Sequence, residues 1–128
     1  MAVAIVTGSD SGIGRATAVA LADDGFDVGV TWHSDEDGAH ETAREVENRG
    51  RRAEARRLDL TALPEAADRI DELAEALGGV DVLVNCAGAG ASTPFVDAAW
   101  DDWRAVLDVD LNGAFLCAQR AARRMIVQ

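Results

Sequence analysis

Val3-Ala4-Ile5-Val6-Thr7-Gly8-Ser9-Asp10-Ser11-Gly12-Ile13-Gly14 is the stretch on which the fold turns. Its first residues are continuously apolar, as in a buried strand. Ile13, Ala16, Thr17, Ala20 and Leu21 then recur at helical spacing, apolar or small, so a helix opens where the glycines end. Between the two, Gly8, Gly12 and Gly14 let the backbone bend sharply and approach a ligand with no side chain in the way. The start of the helix offers unpaired N–H groups and a partial positive charge to an anion. A strand, a glycine turn and a helix in that order make a cradle for the linked phosphates of a dinucleotide.

Working outward, strand and helix alternate. Phe26 to Trp32 follows the breaker Gly25 and reads as a second strand. Ser34 is placed to cap a helix running to about Arg49, with Ala39, Ala43 and Val46 inward and Gly50 just past its end. Ala53 to Leu58 is a weaker third strand, broken by charge and so expected at the sheet edge. A helix from about Leu63 to Leu77 turns Leu63, Ala66, Ala67, Ile70, Leu73, Ala74 and Leu77 to the core, and Gly78-Gly79 stop it. Val80, Val82, Leu83 and Val84 form a fourth strand, apolar enough to be covered on both faces. A loop rich in Gly, Ala and Ser follows, from Cys86 to Pro94. From about Asp97 the chain is helical, with a break expected near Val106 to Asp108. Leu107, Leu111, Ala114, Phe115, Ala118, Ala122 and Met125 form the stripe expected on a sheet or a partner.

Alternation with right-handed crossovers gives an α/β fold in one domain over 1–128: a parallel sheet of strand order 3-2-1-4, half of a doubly wound, Rossmann-like arrangement. Ligands in such sheets bind at the carboxyl ends of the strands where the order reverses. The glycine turn after strand 1 and the loop after strand 4 both lie there.

The net charge of −11 argues against nucleic acid and against an anionic membrane surface. No run of about 18 apolar residues exists to span a bilayer. The chain enters its first strand without a charged and apolar leader, so a cytoplasmic protein is expected. Cys86 and Cys117 stand far apart with no His pair nearby, which is neither a metal site nor a disulfide framework. They are expected to be reduced thiols in or near the core.

The motifs together resemble the short-chain dehydrogenase/reductase family. Its Thr-Gly-x-x-x-Gly-x-Gly turn is met by Thr7, Gly8, Gly12 and Gly14, and its Asn-Asn-Ala-Gly motif by Asn85-Cys86-Ala87-Gly88. Asp59-Leu60 matches the pair after strand 3, and Asp110-Leu111-Asn112-Gly113-Ala114-Phe115 resembles the Asn-Leu-x-Gly-x-Phe segment of the following helix. The resemblance implies a nicotinamide dinucleotide site. Gly8, Ser9, Ser11, Gly12, Ile13 and Gly14 would surround the pyrophosphate, Ile13 nearest the nicotinamide. Asp59 would accept from the adenine amino group and Leu60 would offer its backbone. Asn85, Ala87 and Gly88 would line the ribose crevice. Two plainer readings stay open: Asp59 as a helix cap and Asn85 as a strand-end linker.

A carboxylate about twenty residues after the glycines normally takes the ribose hydroxyls of NAD. Here that place holds Thr31-Trp32-His33-Ser34, with no carboxylate before Asp35. His33 stands where many NADP-preferring relatives carry Arg, Ser34 adds a donor, and Ser11 fills the other position where such relatives often carry Arg. NADP(H) is therefore favoured over NAD(H), with His33 as a plain surface residue the competing account.

The family's proton relay resembles a Tyr hydroxyl assisted by a Lys and a Ser, all beyond strand 5. This chain has no Tyr, and its twelve Lys and Arg residues are all Arg. Even the family's helix Asn is replaced, by Asp110. No catalytic residue is therefore assigned, and the chain alone is expected to be inactive. Three accounts follow: a truncated part of an oxidoreductase acting on a ketone or secondary alcohol, a non-catalytic nucleotide-binding or dimerisation module, or one half of a split enzyme. The resemblance further implies a small-molecule partner and a homodimer or homotetramer formed through the long C-terminal helix.

Overall fold

β1 (Val3–Thr7) is buried along all of its five residues because it has a partner on either side and helices on both faces. β2 (Asp27–Trp32) and β4 (Val82–Asn85) pair with it in parallel, and β3 (Ala53–Arg57) adds to β2. The order is β3-β2-β1-β4, as the alternation requires. This is a computed structural model, and it describes residues 2–128.

Parallel neighbours need crossovers, and helices supply them. α1 (Gly12–Asp23) joins β1 to β2, α2 (Glu36–Glu47) joins β2 to β3, and α3 (Asp68–Leu77) joins β3 to β4. Side chains alternate along β1, so its two faces feed two cores. Val6, with Val28 and Val30, packs against Ala18 and Ala22 of α1 and Ala39 and Val46 of α2. Ile5 faces the other way, onto Ile70 and Leu73 of α3 and onto Cys117 and Ala121.

Four local expectations are corrected. Asp35, not Ser34, caps α2: its carboxylate accepts the Gly38 N–H at 3.0 Å, which leaves Ser34 outside the helix. Glu65–Ala67 form a 3₁₀ turn and α3 begins only at Asp68, so Leu63 and Ala66 are half-buried against the core. Val82, Leu83 and Val84 are also half-buried rather than covered, because β4 is an edge strand here.

The C-terminal helix departs most. α4 (Trp100–Leu107) passes into a π-helical turn, Asp108–Gly113, and then α5 (Ala114–Val127). The helix widens after Leu107 and does not break. A π turn holds one residue more than an α turn, so whatever follows is rotated by roughly 100°. Gly113, Cys117 and Ala121 accordingly face the sheet. Leu111 and Phe115 of the expected stripe are 62% and 60% exposed.

Candidate functional site

The turn between β1 and α1 is anchored from behind by hydroxyl groups. The Thr7 hydroxyl accepts the N–H groups of Cys86 and Ala87, each at 3.1 Å, tying this turn to the loop after β4. The Thr31 hydroxyl accepts the Gly8 N–H at 2.9 Å. Thr42 of α2 donates to the Ser9 carbonyl at 2.8 Å, and Arg15 donates to the Asp10 carbonyl at 2.8 Å. Asp10 is thus held through its main chain, where its side chain was expected to hold the turn.

Two glycines are required by space alone. A Cβ on Gly8 would lie 2.7 Å from the Ala87 Cα, and one on Gly14 would lie 2.8 Å from the carbonyl carbon of Gly8. Gly12 differs: its φ of +55° favours glycine, yet a Cβ there would meet nothing within 4 Å. Its open side is the cleft. The Ser11 side chain makes no cap hydrogen bond and the first turn of α1 holds no acidic residue. The first N–H groups of α1 are therefore left for an outside acceptor. A turn stripped of side chains, braced from below and with its amides open fits a pyrophosphate.

The cleft has a volume of about 540 Å³. The glycine turn forms its floor with Gly8, Ser11, Gly12, Ile13 and Gly14. At one end stand Trp32, His33, Ser34, Asp59 and Leu60, and at the other Ala87, Gly88, Ala89 and Val109. Two expected residues lie off its wall. Ser9 is fully buried, donating to the Val6 carbonyl at 2.7 Å and accepting the Thr31 N–H at 3.2 Å, so it braces the turn from within. Asn85 points to α5, donating to the Ala114 carbonyl at 3.4 Å, which links the end of β4 to that helix.

Asp59 is the charged group best placed to take a ligand donor. The Thr61 hydroxyl and N–H both donate to Oδ1, at 2.6 and 3.0 Å. Those bonds, more than the nearby His33 and Arg57, hold its pKa below the ordinary value despite some burial. It stays ionised as an acceptor, bonded within its own loop and not as the cap of a helix. His33 faces it, with Nε2 3.6 Å from Oδ1. At the far end, Asp110 on the π turn accepts the Ala89 N–H at 2.7 Å and fixes the loop after β4.

Sequence reading missed Thr31, Trp32, Thr61 and Cys86 as lining residues. Trp32 was within reach, since it ends the strand whose next residues were chosen. The bracing by Thr7, Thr31 and Thr42 pairs residues from separate elements, and spacing along the chain carries no signal of it.

A sequence model of the family described as short chain dehydrogenase matches residues 2–128. The uncharacterized oxidoreductase YohF of Escherichia coli (strain K12) is 57% identical over 126 residues, 98% of this chain and 50% of that protein. A crystal structure described as acetoin dehydrogenase from Enterobacter cloacae superposes with a TM-score of 0.94 at 60% identity, covering 99% of this chain and 50% of that one. A short chain dehydrogenase from Burkholderia cenocepacia J2315, solved in complex with NADP, gives 0.91 at 39% identity, over 94% and 49% of the two chains. The chain spans about half the length of the curated relatives it matches.

Proposed function

The chain belongs to the short-chain dehydrogenase family, and from that premise we propose that the whole protein interconverts a ketone and a secondary alcohol with a nicotinamide dinucleotide. The observation that carries this reading is the braced glycine turn, where Gly8 and Gly14 have no room for a side chain and Gly12 opens on the cleft. When bound, the dinucleotide supplies or takes the hydride. The chain's own part is to hold it: backbone amides of the turn at the phosphates, Asp59 and Leu60 at the adenine, Ala87 and Gly88 beside the ribose.

NADP(H) is the preferred form in this proposal. The segment Thr31–Ser34 presents no carboxylate to a 2′-phosphate, and the Burkholderia relative, solved with NADP, supports the same choice. Acetoin is the first substrate to try, given the Enterobacter relative. Titration of the full-length protein with NADPH, followed by acetoin-dependent NADPH oxidation, tests both parts. NADPH binding without turnover on any carbonyl compound would favour the second reading, a nucleotide-binding module. The absence of Tyr and Lys from these residues is what keeps that reading in view.

Self-association belongs to the same proposal. Trp100 and Trp103 on α4, Leu111 on the π turn and Phe115 on α5 are all more than half exposed. An apolar face of that kind is normally covered by protein, and sedimentation of the full-length protein should show a dimer or tetramer.

A further inference from the structure

We infer that Arg57, at the end of β3, reads the 2′-phosphate of the adenine ribose and sets the choice between NADP(H) and NAD(H). The inference rests on the reading that the cleft holds a nicotinamide dinucleotide.

The placement follows from the sheet. Trp32 and Arg57 are register partners in the parallel β2–β3 pair, so their side chains leave the same face. The guanidinium carbon sits 6.0 Å from the centroid of the Trp32 ring, and Nε donates to the His33 carbonyl at 3.1 Å. The cation is thereby fixed against the two residues that follow the acid-free end of β2. Its surroundings are all cleft wall: Trp32, His33 and Asp59.

Its donors are also available. Beyond the Nε bond, its closest charged contact is Nη1 to Asp59 Oδ2 at 3.9 Å, longer than a hydrogen bond, and the side chain is half exposed. The neighbouring arginines are committed elsewhere. Arg15 is spent on Asp10, Gly38, Thr42 and Glu41 beneath the turn. Arg56, one residue earlier and so on the opposite face, pairs with Glu54 and Glu72.

Charge gives the position its leverage. Asp59 is ionised at this rim, and an unprotonated His33 does not offset it. Arg57 is the permanent positive charge that does, and a planar guanidinium matches phosphate oxygens in pairs. Without it a 2′-phosphate would approach an uncompensated carboxylate. A ligand that carries only ribose hydroxyls has no such conflict.

Calorimetry with two fragments tests this on the full-length protein: adenosine 2′,5′-bisphosphate, which carries the 2′-phosphate, and adenosine 5′-diphosphate, which does not. The wild type should prefer the bisphosphate. Arg57→Ala should weaken that ligand about ten- to hundredfold and change the diphosphate by no more than about twofold. Arg57→Lys, which keeps the charge but loses the fork, should fall between. Far-UV circular dichroism of both variants checks that they fold. Equal weakening of the two ligands would make Arg57 an adenine or framework contact and overturn the inference, as would no effect on either. A wild type that binds the diphosphate at least as tightly as the bisphosphate also overturns it while leaving the cofactor reading standing. Binding of neither ligand overturns both.

Discussion

Alanine at Gly12 and alanine at Gly8 separate binding from folding, because the two glycines are needed for different reasons. At Gly12 the φ of +55° costs a side chain about 1–2 kcal/mol, and the new methyl meets nothing within 4 Å. At Gly8, with φ +61°, the same backbone cost applies, and the methyl would also lie 2.7 and 2.8 Å from the main chain of Ala87. Main-chain atoms cannot swing aside as a flexible side chain does. The overpacking adds about 1–3 kcal/mol, for a sum of roughly 2–5 kcal/mol, a large part of the roughly 5–15 kcal/mol that holds a domain together. The Gly12 methyl instead stands where phosphate oxygens must reach backbone amides. A loss of NADPH affinity of at least about tenfold, roughly 1.4 kcal/mol, is expected from Gly12→Ala. Urea unfolding followed by circular dichroism gives the stabilities, and NADPH fluorescence gives the affinities. Gly12→Ala binding NADPH as tightly as the wild type would refute the cradle. Gly8→Ala proving no less stable than Gly12→Ala would refute the steric argument.

Asp27 is buried at the start of β2, where burial alone would raise its pKa, but bonds from the Arg52 N–H and guanidinium and the charges of Arg51 and Arg52 bring it below the ordinary 3.8. A pKa lowered by folding adds stability that is complete above the unfolded value and is lost as pH falls through the folded one. Urea midpoints should therefore drop below about pH 4 in the wild type and less steeply in Asp27→Asn, and parallel curves would contradict this. Burial pushes the Cys117 thiol up to about 11, so at pH 8 iodoacetamide should label Cys86, slowed by NADPH because Cys86 lines the cleft, and leave Cys117 intact until the protein unfolds. NADPH should quench tryptophan emission mainly through Trp32, because Trp100 and Trp103 lie outside the cleft lining. Trp32→Phe should lose most of that quench, and an unchanged quench would displace the cofactor from this end. Gly113→Ala places a Cβ 3.0–3.1 Å from Leu60 and 3.2 Å from the Asp108 carbonyl. It should lift the π turn off the cleft floor and cost about 1–3 kcal/mol in unfolding experiments.

The amino-acid order alone determined the alternation of elements, the β3-β2-β1-β4 sheet and the crevice at its carboxyl ends. Apolar period, glycine breaks and crossover handedness are local or generic rules, and every one of them agreed. It also marked Gly8, Gly12 and Gly14, because a turn without side chains is written directly in residue type. Tertiary structure decided what each neighbouring polar group does. Ser9 sits inside the glycine motif yet faces the sheet, Asn85 reaches α5, and Asp110 holds Ala89 from 21 residues away. Arg57 reads in sequence as one more charge on a weak strand, and only its pairing with Trp32 carries it to the rim of the cleft. The stripe on the C-terminal helix failed for a related reason: one additional residue in the π turn re-aims everything after it. Periodicity fixes which residues can share a face. Which face meets the ligand depends on contacts between segments far apart in the chain, and the one-dimensional pattern does not encode those distances.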